Sequence, residues 1–168
     1  MTDPEPILDV CNFTQLTNAQ RAVLTALNLS DHQEFLGGSF RESMDAWTAG
    51  PASHVLGHCF LIGGTPVGLT LFKRPPQSPD WVPPDAVSLH GLKIATPWQG
   101  QGLGKTAFRL ALMQLKRDWP ATTKLVLATD AENDEALSIY RGAGMTDSGA
   151  IFDGNHGREH RLHLSLAS

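Results

Sequence analysis

The period of apolar and polar positions changes several times along this chain, and each change predicts an element. Ile7 to Phe13 is a short apolar run that reads as a first strand. Thr17-Asn18 then offers an N-cap, after which Ala22, Val23, Ala26, Leu27 and Leu29 recur at helical spacing. Ser30-Asp31 opens a second helical pattern through Phe35, Leu36, Phe40, Met44 and Trp47, and Gly37-Gly38 is a point where it breaks. Ser53 to Ile62 and Val67 to Lys73 are apolar strand patterns joined by Gly63-Gly64-Thr65-Pro66, which predicts a β-hairpin. Arg74 to Pro84 holds five prolines and Trp81. It forms no regular element and is either a long connector or a loop on the substrate side.

From Ala86 to Ala95 the pattern is again that of a strand, with one irregularity. Val87 and Leu89 are apolar at odd positions, Leu92 and Ile94 at even ones, and Gly91 lies between. A slip of phase at a glycine is what a β-bulge produces, and the slip predicts a bulge there. The glycine-rich stretch Trp98 to Lys105 follows. Leu103 to Trp119 is then a helix with Phe108, Leu112, Leu115 and Trp119 on one stripe. Lys124 to Ala128 is a compact strand, and Asn133 caps a helix that ends near Arg141 before Gly142 and Gly144. Ala150 to Phe152 and His160 to Leu166 read as two last strands around the turn Asp153-Gly154-Asn155.

Composition narrows the class without deciding it. The 168 residues suit a single domain, here 1–168, and 41% hydrophobic with 18% charged residues is a folding composition. No apolar run reaches the roughly 18 residues that span a bilayer, and the start Met1-Thr2-Asp3-Pro4-Glu5-Pro6 lacks the basic and apolar regions of a secretory signal. The expected location is cytoplasmic, with Cys11 and Cys59 as reduced core thiols. A net charge of −4 speaks against nucleic acid as a partner and suits a cationic one. His156, His160 and His163 are expected to bind no metal, since His160 and His163 face opposite sides of a strand.

The glycine stretch carries the chemistry. A strand, a glycine loop and a helix in succession aim backbone N–H groups and a helix N-terminus at one point, which is an anion site. A P-loop needs glycine where Gln99 stands before Gly104-Lys105-Thr106. Gly102, Gly104 and Ala107 fit a dinucleotide fingerprint with Asp130 as the ribose acid, but that motif belongs to a series of βαβ units and here follows a hairpin. The third pattern is Gln99-Gly100-Gln101-Gly102-Leu103-Gly104, followed further on by Asn133, Ala136, Ile139, Tyr140, Gly144 and Met145. Together these two motifs resemble the GNAT superfamily of acetyl-CoA-dependent N-acetyltransferases, and the order of elements is similar to that fold over nearly the whole chain.

The resemblance implies an α/β (α+β) GNAT fold, a mixed and mostly antiparallel sheet of about six or seven strands flanked by about four helices. It implies acetyl-CoA as cosubstrate and no metal. Backbone amides of Gln101, Gly102, Leu103, Gly104 and Lys105 would hold the pyrophosphate, with Gln99 and Gly100 shaping the loop. The pantetheine arm would run along Leu92, Lys93 and Ile94, with Asn133, Ala136 and Tyr140 on its other side. Tyr140 matches the family's general acid, and the Leu92 N–H at the bulge is the candidate oxyanion donor. Many members place a glutamate base on the strand before the loop; here His90 is the titratable residue at that height, with a water held by Ser88 as the alternative. Leu29 to Phe35 and Gly63 to Gly68 also resemble the branch that includes spermine/spermidine acetyltransferases. That branch carries an acid after the final Asp-Gly, where this chain has Asn155-His156. The expected partner is a small-molecule primary amine, polyamine-like or amino-acid-like, with no nucleic acid and no membrane, and a monomer or homodimer. A non-catalytic acyl-CoA sensor and a dinucleotide-binding protein are the alternatives.

Overall fold

The computed structural model describes residues 6–166. The proline-broken start, Met1 to Glu5, on which the absence of a secretory signal was read, lies outside them. The elements run β1 (Leu8–Asn12), α1 (Asn18–Ala26), α2 (Asp31–Gly37), α3 (Phe40–Ala49), β2 (Val55–Ile62), β3 (Thr65–Lys73), β4 (Val87–Ile94), α4 (Leu103–Asp118), β5 (Lys124–Asp130), α5 (Asp134–Gly142), β6 (Thr146–Asp147), β7 (Phe152–Gly154) and β8 (Gly157–Ser165). Among the described residues no helix is long and apolar enough to cross a membrane.

The helical pattern from Ser30 to Trp47 breaks at Gly37-Gly38, as expected, into two helices. Gly38, at φ +80°, ends α2, and Ser39 caps α3 by accepting from the Glu42 N–H. Left-handed backbone at a glycine stops a helix at little cost, and a serine cap restarts it. The last hairpin also differs from its expected register. Gly154 pairs with Gly157, so Asn155-His156 form a two-residue turn and β8 starts before His160. Short β6 pairs with β8 at the sheet edge and completes eight strands. Two residues of polar sequence carry too little periodicity for such a strand to be read in advance.

The sheet order is β1-β2-β3-β4-β5-β8-β6, with β7 on β8. All pairings are antiparallel except β4 with β5. β2 and β3 are buried almost throughout because both faces of the sheet are covered. On one face Phe60, Phe72, Leu89, Leu125 and Leu127 pack against Leu103, Phe108, Ala111 and Leu115 of α4. On the other, Phe13, Leu24, Phe40 and Met44 pack on Cys59, Leu69 and Leu71. His58, fully buried on β2, is joined to α4 by its Nε2 at 2.8 Å from Asp118 Oδ2.

Two features of β4 shape the site. Its parallel ladder with β5 holds only Val87 opposite Leu125 and Ser88 opposite Val126, so the strands part beyond Ser88. Its ladder with β3 shifts register between Leu69, opposite Lys93, and Leu71, opposite His90. One extra residue therefore stands on β4 at Gly91-Leu92, and Gly91 takes φ +67°. This is the bulge expected from the phase slip.

Candidate active site

A cleft of about 1230 Å³ opens where β4 and β5 part. Gly100, Gly102, Leu103, Gly104 and Lys105 line one end, Leu92 to Ile94 one wall, and Asn133, Ala136 and Tyr140 of α5 the other. Every residue expected at the site borders this cleft except Gln101, which is exposed to solvent on the loop.

The loop end has the chemistry of an anion cradle. Helices α1, α2, α3 and α5 each have a side-chain cap, from Thr17, Ser30, Ser39 and Asn133. Helix α4 has none: its cap is Gly102 at φ +76°, and no acidic residue lies in its first turn. The first N–H groups of a helix have no partner within it, so here they are left to a ligand. Gly100 and Gly102 have open space where a Cβ would stand, so what they supply is backbone conformation. Gly104 does something else. A Cβ there would lie 2.8 Å from Ile139 Cδ1, and glycine lets α4 approach α5. Gln99 braces the loop, its amide donating to the Ile94 carbonyl at 2.8 Å and pairing with the Gln33 amide at 3.1 Å. These residues fit a pyrophosphate without a side-chain cation, and Lys105 is exposed beside it.

Helix α5 also begins at the cleft and is of opposite character. Asn133 Oδ1 accepts from the Ala136 N–H at 3.2 Å, and Asp134 and Glu135 occupy the first turn. This end is already satisfied and repels an anion. Further along α5, Tyr140 is buried with its ring edge-on to Phe108 at 5.2 Å. Burial pushes its phenol pKa far above the ordinary value, so it stays protonated.

The bulge rearranges the face of β4 toward α2 and α3. Residues three apart on a regular strand face opposite sides. The extra residue brings His90 and Lys93 to the same side, opposite Leu71 and Leu69. Ser88 Oγ lies 2.7 Å from His90 Nε2. Burial, then the charges of Lys73 and Lys93, lower the His90 pKa to about 4. Lys93 is only 5% exposed, and its ammonium rests over Gly91 where a side chain would otherwise stand. Burial lowers its pKa to about 8, with Glu42 of α3 pulling the other way.

At the far end the cleft is bordered by α2, by Pro79 and Trp81, and by Asn155, His156 and Glu159. The proline segment is held in place: Arg161 of β8 lies between Trp81, at 4.4 Å, and Phe152, at 4.2 Å. Phe35 of α2 packs against His156 across the rim, the ring centroids 4.2 Å apart and the planes tilted by 43°. Glu159 reaches across the hairpin to Gly154, where its Oε2 fills the place of a side chain. His160 is bonded to Asp147 at 2.9 Å and His163 is exposed. Sequence reasoning did not single out Glu42, Gln33, Glu159 or the Lys93 side chain. The Lys93 side chain was within reach, since the phase slip at Gly91 puts it beside His90; the others are far apart in sequence and give no local signal.

Comparison with known proteins agrees with this geometry. Residues 22–145 match the model of the acetyltransferase (GNAT) family. None of the curated proteins matches the sequence. Among solved structures, aminoglycoside acetyltransferase AAC(6')-Ib in complex with coenzyme A is similar with a TM-score of 0.73 and 19% identity, covering 95% of each chain. The GNAT domain of S. lividans PAT gives 0.70 and 18%, over 94% of this chain and 89% of that one. The ribosomal-protein-S18-alanine N-acetyltransferase from Escherichia coli gives 0.61 and 16%, over 96% of each. At such identities the likeness is one of fold.

Proposed function

The chain belongs to the GNAT acetyltransferase family, and on that premise we propose that it moves the acetyl group of acetyl-CoA to a primary amine of a small cationic molecule, in a ternary complex. The whole chain acts as one catalytic domain in this reading. The observation that carries it is the uncapped N-terminus of α4 at the head of the cleft between β4 and β5. A single parallel pair in the sheet leaves no βαβ series for a dinucleotide.

In this proposal the thioester lies along Leu92 to Ile94, held from the loop end by backbone amides of Gly102 to Lys105. The Leu92 N–H at the bulge faces the carbonyl oxygen, where charge gathers as the amine attacks. Tyr140 gives its proton to the departing sulfur, for which its high pKa keeps it charged with a proton at all working pH values. A primary amine has a pKa of about 10.4 and arrives as an ammonium, so a proton must first be removed. His90, the base expected from sequence, is neutral and weak with a pKa of about 4. It serves here as hydrogen-bond partner to Ser88 and to the acceptor.

The acceptor is proposed to be polyamine-like or another multiply charged amine. Glu34, Glu42 and Glu159 border its end of the cleft, with Trp81 and Phe35 as apolar surfaces. Glu159 of β8, with Oε2 over Gly154 and Oε1 3.4 Å from Arg161 Nε, adds a carboxylate to this end, which supports a cationic acceptor. The setting proposed is the cytoplasm, where free thiols such as Cys11 and Cys59 persist.

The test is thermal melting with acetyl-CoA and with NAD, followed by an amine panel. A rise in Tm with acetyl-CoA and acetylation of polyamines supports the reading. Stabilisation by NAD alone overturns it. Binding of acetyl-CoA with no amine acetylated points instead to an acyl-CoA sensor.

A further inference from the structure

We infer that Lys93 is the general base, the group that takes the proton from the acceptor ammonium. The inference rests on the acetyltransferase reading above and concerns a side chain that the sequence motifs place only as backbone beside the cofactor.

The geometry is that of a group held for use. The bulge at Gly91-Leu92 turns Lys93 onto the His90 face, toward α3 and the acceptor end. It is 5% exposed and borders the cleft. Among the described residues its ammonium makes no hydrogen bond or ion pair, while its place over Gly91 sets it beside the proposed oxyanion donor. The stem is buried, but Nζ is not among the fully enclosed unpartnered atoms, so the amine opens onto the cleft where an acceptor would lie. Glu42 from α3 and His90 on β4 are the charged and titratable groups that act on it, Lys73 on β3 acts with it on His90, and the cleft it borders is also lined by His32 and Glu34 from α2, Asp130 on β5, and His156 and Glu159 at the last hairpin. Of these, Glu42 is the one whose charge acts on Lys93 appreciably, and it lies beyond ion-pair distance. Desolvation outweighs it and holds the pKa at about 8. At pH 7.5 about a quarter of the molecules then carry a neutral lysine, against roughly one in a thousand for an ordinary one.

The protons balance as follows. The acceptor ammonium gives one proton to the Lys93 amine. The nitrogen lone pair forms the C–N bond and the C–S bond breaks. Sulfur receives the Tyr140 proton, the second nitrogen proton restores the phenol, and Lys93 releases its own proton to water.

The experiment combines an NMR titration of the Lys93 side chain, identified by its loss in Lys93→Arg, with pH profiles of kcat/KM. In the wild type Lys93 should titrate near 8, and kcat/KM should rise with pH to a break at the same value. Lys93→Arg stays charged, and Lys93→Met has no base. Each should lose about 10²–10³-fold in kcat/KM and the break near 8, while acetyl-CoA still raises Tm as a control for folding. A break near 8 that survives in Lys93→Met, or a Lys93 that titrates near 10.4, overturns the inference and leaves the acetyltransferase reading intact. Failure of the wild type to acetylate any amine overturns that reading, and this one with it.

Discussion

The two ends of the cleft are built from different kinds of sequence. The loop end comes from one stretch, Gln99 to Lys105, and the helix that follows it. Its chemistry is backbone chemistry: donors left unpaired because α4 begins at a left-handed glycine with no side-chain cap and no acid nearby. The end proposed for the acceptor is assembled from α2, the proline segment, β4 and the last hairpin. Its chemistry lies in side chains that meet only when the sheet forms, such as Glu42, Lys93, Trp81 and Glu159. A site for a shared cosubstrate can be a local motif, because an uncapped helix N-terminus offers the same unpaired N–H groups wherever it occurs. A site for a particular acceptor depends on long-range placement, so it leaves little mark on any single segment.

The contrast can be tested by changing each end and reading the other. The largest effect is expected at the meeting point. Tyr140→Phe keeps the ring against Phe108 but removes the proton donor. It should lower kcat by about 10²–10⁴-fold, with KM for both substrates nearly unchanged in steady-state kinetics. Next is Gly102→Val, which puts a β-branched residue at φ +76° where there is open space. Calorimetry should show acetyl-CoA bound about ten- to thirtyfold more weakly, from about 1.5–2 kcal/mol of backbone strain. Acceptor selectivity should stay the same.

Glu159→Gln should act on the other end. It should raise KM for a multiply charged amine by about three- to tenfold, in proportion to about 1 kcal/mol, and leave KM for acetyl-CoA alone. An equal effect on both would break the distinction between the ends. Trp81→Ala removes one of the two rings holding Arg161. About 1 kcal/mol is lost, which at this chain length lowers Tm by about 2–4 °C.

The smallest effect concerns acid stability at the sheet edge, on β6. Burial pushes the Asp147 pKa up, but the Gly149 N–H, His160 and Arg141 outweigh it and hold it at about 2. A carboxylate lowered on folding stabilises the protein above its unfolded pKa of about 3.9 and loses that contribution as pH falls toward 2. Denaturant midpoints should therefore fall between pH 4 and about 2, and less so in Asp147→Asn.

Much of the fold was legible because its signals are local. The hairpin of β2 and β3, the bulge at Gly91, the loop and the caps at Thr17, Ser30 and Asn133 each announce themselves within a few residues. Strand β6 did not, being two residues whose pairing with β8 is decided elsewhere. The turn at Asn155-His156 was displaced because register is fixed by the partner strand as well as by turn residues. His90 shows the limit most sharply. Its place on β4 follows from the strand pattern, but its basicity depends on burial and on Lys73 and Lys93, which composition does not express.

By itself, then, the sequence determined the family, the glycine loop that opens α4 and the bulge, because glycines and helix starts act through the backbone of adjacent residues. Only the tertiary structure decided that Lys93 and His90 are buried near Glu42, that Arg161 ties the proline segment to the cleft, and that Glu159 lies over Gly154 beside Arg161. Electrostatics and burial are sums over neighbours in space, and those neighbours come from distant parts of the chain.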